Sequence, residues 1–187
     1  GVDFDLLGTG VLAGASPVSQ QMNFPNALRP NTWYPLALAN SLEGVDLEPG
    51  INVISITANF NGAFYYGLDS ITPGGKSSFV DVLLHELGHG LGFVSFVNAS
   101  TGNLFLGQND IFSSFILDEV YQAAWPDFTS AQRASSAISD PSLVWTGPFT
   151  TAGLPQKLTV QPSFSGFQLT ATFPNSSTLV LPNLPAE

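Results

Sequence analysis

The sequence predicts a mixed α/β (α+β) fold, in which a twisted mixed sheet carries two helices and a strand-rich tail follows. Residues 51–60 alternate apolar and polar side chains, which is typical of a strand with one wet face. Residues 31–44 and 77–92 place helix caps and glycine stops around apolar stretches. We therefore expect one domain over residues 1–143. Residues 144–187 form a strand-rich extension, either an appendage or part of a domain that continues further.

The first helix is predicted over residues 31–44 and backs the sheet. Asn31 or Thr32 can cap it, Pro35 suits its first turn, and Gly44 ends it. The strand after it has an apolar face made by Ile54, Ile56, Ala58 and Phe60, and a polar face made by Ser55, Thr57 and Asn59.

A second helix begins after Ser77 or Ser78, either of which can cap it, and Asp81 suits the positive end of its dipole. Its side chains are apolar almost all round, so we expect the helix to be buried. Gly90 and Gly92 allow the chain to stop and turn. Further helices are predicted over 109–126, between Asn109 and Pro126, and over 129–141.

The composition is that of a globular chain with an acidic surface. Of 187 residues, 44% are apolar and 10% are charged, and the formal net charge is −10. Such a surface repels phosphate backbones, which argues against nucleic acid as a partner. No apolar run is long enough to span a bilayer. These features suit a secreted, extracellular protein.

Four acidic residues are candidate calcium ligands, although ordinary surface acids are the better explanation. They are Asp3, Asp5, Asp46 and Glu48.

Both histidines of the chain lie in one short motif, HELGH, on the second helix. Residues four apart on a helix face the same way, so His85 and His89 can share one cation. Glu86 is about a quarter turn away, where it can reach a metal-bound water. This spacing is typical of zinc peptidases, in which two imidazoles hold Zn²⁺ and the glutamate acts as general base. The structural alternative is a chance match containing an ordinary buried histidine.

The stretch HELGHGLGF resembles the leishmanolysin-like zinc metallopeptidases of the metzincin type, and is especially similar to secreted bacterial members. The resemblance implies a zincin-like fold and a zinc-dependent endopeptidase acting on proteins or peptides. It also implies a third histidine ligand and a methionine turn downstream. No histidine follows His89, and the single methionine, Met22, lies upstream. In the shorter metzincin spacing, Ser95 occupies the position of the third histidine, and serine is a poor zinc ligand. In peptidases of this type an edge strand binds the substrate, which makes strand 51–60 a candidate edge.

Four explanations of the missing ligand remain open. A histidine is supplied by a C-terminal segment outside this chain, or Asp110 is the third ligand, or Asp118 or Glu119 is. The fourth is a degenerate zincin scaffold that acts as a protein-binding or metal-binding module without proteolysis.

Overall fold

The computed structural model describes residues 1–69, 71–139 and 142–147, together with strands within 158–180. The chain forms two compact units, Gly1–Val94 and Ser95–Glu187. The fold is mixed α/β, with small mixed sheets and three α-helices among the described residues, which confirms the predicted class at this coarse level. The predicted domain boundary after residue 143 stays a prediction. In the described residues no helix has both the length and the apolar character that crossing a bilayer requires.

The first unit contains seven strands and two helices among its described residues. In chain order they are β1 (Val2–Asp5), β2 (Ala13–Pro17), β3 (Gln20–Gln21), β4 (Thr32–Pro35), α1 (Leu36–Glu43), β5 (Ile54–Asn59), β6 (Phe64–Tyr65), β7 (Ser77–Ser78) and α2 (Phe79–Gly90).

Strand β5 is the middle of a three-stranded sheet, with β1 parallel on one side and β2 antiparallel on the other. The predicted strand is therefore confirmed, but its interpretation as a substrate-binding edge is wrong. The predicted faces hold in part: Ile56 and Ala58 are buried, whereas Phe60 is 75% exposed. Asn59, expected on the solvent-exposed face, is buried. Its side-chain amide donates a hydrogen bond to the Val11 carbonyl at 2.7 Å, which satisfies the buried polar group.

Helix α1 begins later than predicted because Thr32–Pro35 form strand β4, in which Tyr34 and Pro35 pair with β3. Pro35 therefore precedes the helix and does not lie within its first turn. The predicted end is confirmed: Gly44 is left-handed, with φ 79°, and its N–H donates to the Asn40 carbonyl.

Helix α2 begins and ends close to the predicted positions. The Ser78 hydroxyl accepts a hydrogen bond from the Asp81 N–H at 3.3 Å, as expected of its N-cap. The prediction that the whole helix is buried is wrong, since Leu84 is 62% exposed and Leu87 is 38% exposed. One face packs against β2 and β5, and its buried members are Glu86, His89 and Gly90.

The second unit is built mainly from strands. Its elements are β8 (Asn109–Asp110), β9 (Ile116–Asp118), β10 (Ala123–Ala124), α3 (Ser130–Ser136), β11 (Leu143–Trp145), β12 (Leu158–Ser163), β13 (Gly166–Thr172) and β14 (Thr178–Val180). Six of them form an antiparallel sheet in the order β10-β9-β11-β12-β13-β14. The core of this unit contains Val97, Phe112, Ile116, Trp125, Phe128, Ala137 and Leu143.

The helix predicted over 109–126 is wrong. The Asp110 carboxylate accepts from the Ser113 N–H at 2.7 Å, and the Ser114 hydroxyl donates to the Asp110 carbonyl. Such local bonds compete with helix formation, and a single 3₁₀ turn results. Ile116 then pairs with β11 in the sheet and is fully buried there. The helix predicted over 129–141 exists as the shorter α3, with a capping box between Thr129 and Gln132.

Candidate functional site

The two histidines of α2 point their ring nitrogens at each other. His85 Nε2 lies 3.1 Å from His89 Nε2, and the ring planes are 83° apart. The side chains of residues four apart project from the same face of a helix, which explains the approach. The sequence therefore correctly predicted that these two imidazoles come together.

The backbone carbonyl of Phe93 fixes the proton on His89. His89 Nδ1 lies 2.9 Å from the Phe93 oxygen. Because a carbonyl only accepts, Nδ1 must carry the hydrogen and donate it. In the neutral ring, Nε2 then presents a bare lone pair toward His85. A metal-binding histidine needs this tautomer, and a carbonyl on the other nitrogen is a common means of setting it.

The turn that ends α2 brings the Phe93 carbonyl to this position. The Phe93 N–H donates to the Gly88 carbonyl at 3.1 Å, and the Gly92 N–H donates to the His89 carbonyl at 3.0 Å. This pair of bonds is the Schellman motif, whose turn residue needs a positive φ. Gly92 has φ 118°, a conformation that a side chain would strain.

Glu86 follows His85 in sequence and is one of the three buried residues of α2. Its side chain is 3% exposed, and Oε2 has no hydrogen-bond partner among the described residues. Burial disfavours the charged carboxylate and raises the pKa of Glu86 to about 7. A carboxyl group that titrates near neutrality can accept a proton and return it, which is what a general base and acid must do.

Burial also lowers the pKa of both histidines, so their neutral forms are favoured. For His85 the positive charge of a protonated His89 adds to the lowering. For His89, desolvation lowers the pKa and the bond to the Phe93 carbonyl partly opposes it. Neutral imidazoles are the form that binds metals, because the lone pair must be free.

The spacing of the two Nε2 atoms fits one tetrahedral zinc ion. Zinc–imidazole bonds are about 2.0–2.1 Å long, so two nitrogens on such an ion lie about 3.3 Å apart. The distance between His85 Nε2 and His89 Nε2 is 3.1 Å. The donor set, two neutral imidazoles with one tautomer fixed, is also one that zinc prefers.

Asp110 and Asp118, predicted as third ligands, use both of their carboxylate oxygens in hydrogen bonds within the second unit. Asp110 is 1% exposed, and its two oxygens accept from the Ser113 and Phe96 N–H groups at 2.7 and 3.0 Å. Asp118 is fully buried; one oxygen accepts from the Val120 and Tyr121 N–H groups, and the other from the Ser136 hydroxyl at 2.6 Å.

No described carboxylate is grouped with the two histidines as a metal site. Within 1–69, 71–139 and 142–147, no cluster of three or more histidine, aspartate or glutamate side chains is arranged to hold an ion. Glu119 follows β9 and is half-buried. Ser95, which stands at the third-histidine position of the shorter metzincin spacing, has its hydroxyl 2.6 Å from the Ser113 hydroxyl.

Asp46 and Glu48, two of the four candidate calcium ligands, also have hydrogen-bond partners. One Asp46 oxygen accepts from the Asn40 side chain at 3.1 Å and from the Glu48 N–H at 3.1 Å. One Glu48 oxygen accepts from the Ser19 hydroxyl and the Gln21 amide. Asp3 and Asp5 lie on β1. Calcium binding by these residues stays a prediction.

Sequence reasoning missed the Phe93 carbonyl, because a backbone group has no signature in residue type. Its signal was Gly92, since a glycine stop one turn past a histidine implies a carbonyl returning toward the helix end.

No family model, curated protein or solved structure matches this chain.

Proposed function

We propose that this chain carries the active-site helix of a secreted zinc metalloendopeptidase of the leishmanolysin-like, zincin type. His85 and His89 bind Zn²⁺, and Glu86 is the general base. The observation that carries the proposal is the 3.1 Å approach of the two Nε2 atoms, with the Phe93 carbonyl holding the His89 tautomer that metal binding needs. The finer zincin class is supported by α2 packing on strands β2 and β5 with this motif near its C-terminal end.

A bound zinc ion would lower the pKa of water and polarise the scissile carbonyl. The chain's own residues then handle protons and orientation. Glu86, with its pKa near 7, takes a proton from water and passes it to the leaving amine. The Phe93 carbonyl keeps the hydrogen of His89 on Nδ1, so that Nε2 is always available as a ligand.

The proposal places the third ligand on a polypeptide segment outside this chain, as a histidine, because His85 and His89 are the only histidines of the 187 residues. Asp110 and Asp118 would each have to give up short hydrogen bonds to backbone N–H groups or to a hydroxyl before they could bind an ion. Leaving those buried donors unsatisfied costs about 1–3 kcal/mol each. That penalty favours a separate ligand over either aspartate.

Substitution of Glu86 separates catalysis from metal binding. Glu86→Gln keeps the size of the side chain and removes its capacity to accept a proton. We expect zinc binding to persist and peptide hydrolysis to fall about 10²–10⁴-fold, the usual contribution of a general base. Asp81→Asn, on the exposed first turn of the same helix, is the matched control and should keep full activity. Full hydrolysis by a Glu86→Gln protein that holds zinc would overturn the proposed role.

One observation favours a second candidate, a zincin scaffold that binds a partner without proteolysis. It is the lack of a third ligand beside His85 and His89 among the described residues. Metal analysis separates the two candidates. In protein that includes the segment supplying the third ligand, about one zinc per chain, lost in His89→Ala, supports the enzyme, whereas no zinc at micromolar concentration supports the binding module.

A further inference from the structure

Strand β1 forms an open edge of the first-unit sheet. Within the described residues it pairs with β5 alone, and all four of its residues are exposed. An exposed strand edge is a template for pairing with another extended chain. The apolar side chains Val2 and Phe4, exposed by 42% and 50%, make this edge unusually attractive to a partner.

The hydrogen-bond register identifies which backbone groups of β1 face outward. The Asp5 carbonyl accepts from the Phe60 N–H at 2.7 Å, so the backbone of Asp5 faces β5. Backbone groups of successive residues in a strand alternate in direction, so Asp3 also faces β5 and Phe4 faces the open edge. The N–H and the carbonyl of Phe4 are therefore placed to make two hydrogen bonds with an added strand.

The Phe4 side chain joins an aromatic cluster on the α2 side of the sheet. Its ring stacks on Phe79 of α2, with centroids 5.9 Å apart and planes 17° apart. Tyr66 contacts Phe79 at 4.9 Å and is itself 61% exposed. A side chain paired with Phe4 on an added strand would lie beside these rings, which favours an apolar residue there.

The opposite face of β1 carries negative charge. Side chains alternate along a strand, so Asp3 and Asp5 project away from the Phe4 ring, about 7 Å apart. Both are exposed. Residues of an added strand that flank the partner of Phe4 would face these carboxylates, and opposite charges are favourable in cross-strand pairs. The net charge of −10 further attracts a basic chain.

We propose that the β1 edge binds an extended peptide antiparallel to β1, in which one apolar residue pairs with Phe4 and the residues on both sides of it are lysine or arginine. This binding site is independent of the proposed peptidase function, because no zinc ligand lies on β1 and its aromatic contact with α2 is at Phe79, the first residue of that helix. A second copy of the chain is a poor occupant, since its own β1 would bring Asp3 and Asp5 against the same carboxylates.

A labelled, blocked peptide of sequence Gly-Ser-Lys-Leu-Lys-Ser-Gly tests the inference by fluorescence anisotropy with the full chain in EDTA. N-methylation of the leucine removes a hydrogen bond to β1, so we expect affinity to fall at least about tenfold. N-methylation of a flanking lysine is the matched control, because that N–H points away from β1 in an added strand. Equal effects of the two methylations would overturn strand addition.

Charge substitutions test the basic flanks. Asp3→Asn combined with Asp5→Asn should weaken binding about tenfold and reduce its dependence on salt. Asp127→Asn, an exposed acid of the second unit, is the control. Unchanged affinity and salt dependence in the double variant, with circular dichroism showing that it is folded, would overturn the recognition of basic residues.

The inference and the proposed function fail separately. Peptide binding by His89→Ala protein supports the β1 site independently of zinc, and a requirement for metal would overturn it. Absence of peptide binding in a protein that still holds zinc overturns the β1 site alone. Absence of zinc binding with the peptide still bound overturns only the proposed peptidase.

Discussion

Gly90 allows α2 to lie close to β5, and its replacement by alanine should destabilise the first unit. A Cβ built on Gly90 would lie 2.6 Å from Ile54 Cγ1 and 2.7 Å from Ile54 Cδ1, and closer still to Cγ2. Isoleucine is branched at Cβ and has few alternative rotamers, so the helix must shift. Overpacking of this kind costs about 1–3 kcal/mol.

Gly88 offers a matched control on the same helix. A Cβ at Gly88 meets nothing within 4 Å, and the residue is helical. Both Gly→Ala changes gain about 0.8–1 kcal/mol of helix propensity. That gain cancels in the comparison, so Gly90→Ala should be less stable than Gly88→Ala by about 1–3 kcal/mol, the overpacking cost alone.

Urea denaturation followed by circular dichroism measures this difference. A double-mutant cycle with Ile54→Ala adds a stronger test, because that change removes all three crowded atoms. In the Ile54→Ala background, Gly90→Ala should cost nothing beyond the control. Equal stabilities of the Gly88 and Gly90 variants in the wild-type background would refute the close approach of α2 to β5.

Two further predictions concern buried charge. In metal-free protein, burial raises the pKa of Glu86 from 4.5 to about 7. Its stabilising contribution is therefore complete below about pH 4.5 and is lost as the pH rises through 7. The loss is about 3–4 kcal/mol, from about 2.5 pKa units at about 1.4 kcal/mol each. The stability of Glu86→Gln should lack this pH dependence, so wild-type stability minus variant stability should fall as the pH rises from about 4.5 through 7. The same pH dependence in both proteins, measured by unfolding at several pH values, would contradict the burial. Arg133, 5% exposed, donates to the carbonyls of Gly102, Trp125 and Phe128. Arg133→Met should cost about 3 kcal/mol by leaving those acceptors unpaired, against little change for the exposed Lys76→Met, and thermal unfolding would show it.

Local signals in the sequence correctly predicted the position of α2 and the approach of its two histidines. Ser78 and Gly44 act where their side chain or conformation predicts, because caps depend on neighbouring residues only. The approach of His85 and His89 followed from helical geometry alone. The carbonyl of Phe93 did not, since its position depends on how the chain turns after Gly92.

Non-local pairing explains the errors. The apolar residues over 109–126 match a helical period, yet the bonds of Asp110 to the next turn and the pairing of Ile116 with β11 produce turn and strand. The position of strand β5 in the sequence was correctly predicted. Its partner strands, Val2–Asp5 and Ala13–Pro17, carry weak strand signals, so the sequence did not indicate that β5 lies in the middle of the sheet. The exposed face of α2 around Leu84 likewise depends on which surfaces the rest of the chain covers.

A calorimetric titration of the chain with Zn²⁺, at neutral pH and compared with His85→Ala and His89→Ala, tests the metal site most directly. We expect one ion per wild-type chain, and in each variant a loss of affinity of at least about tenfold, since each removes a ligand. The Gly88→Ala protein should bind as the wild type does. Absence of binding even at millimolar zinc, or unchanged binding after either histidine is removed, would contradict a shared ion between the two imidazoles.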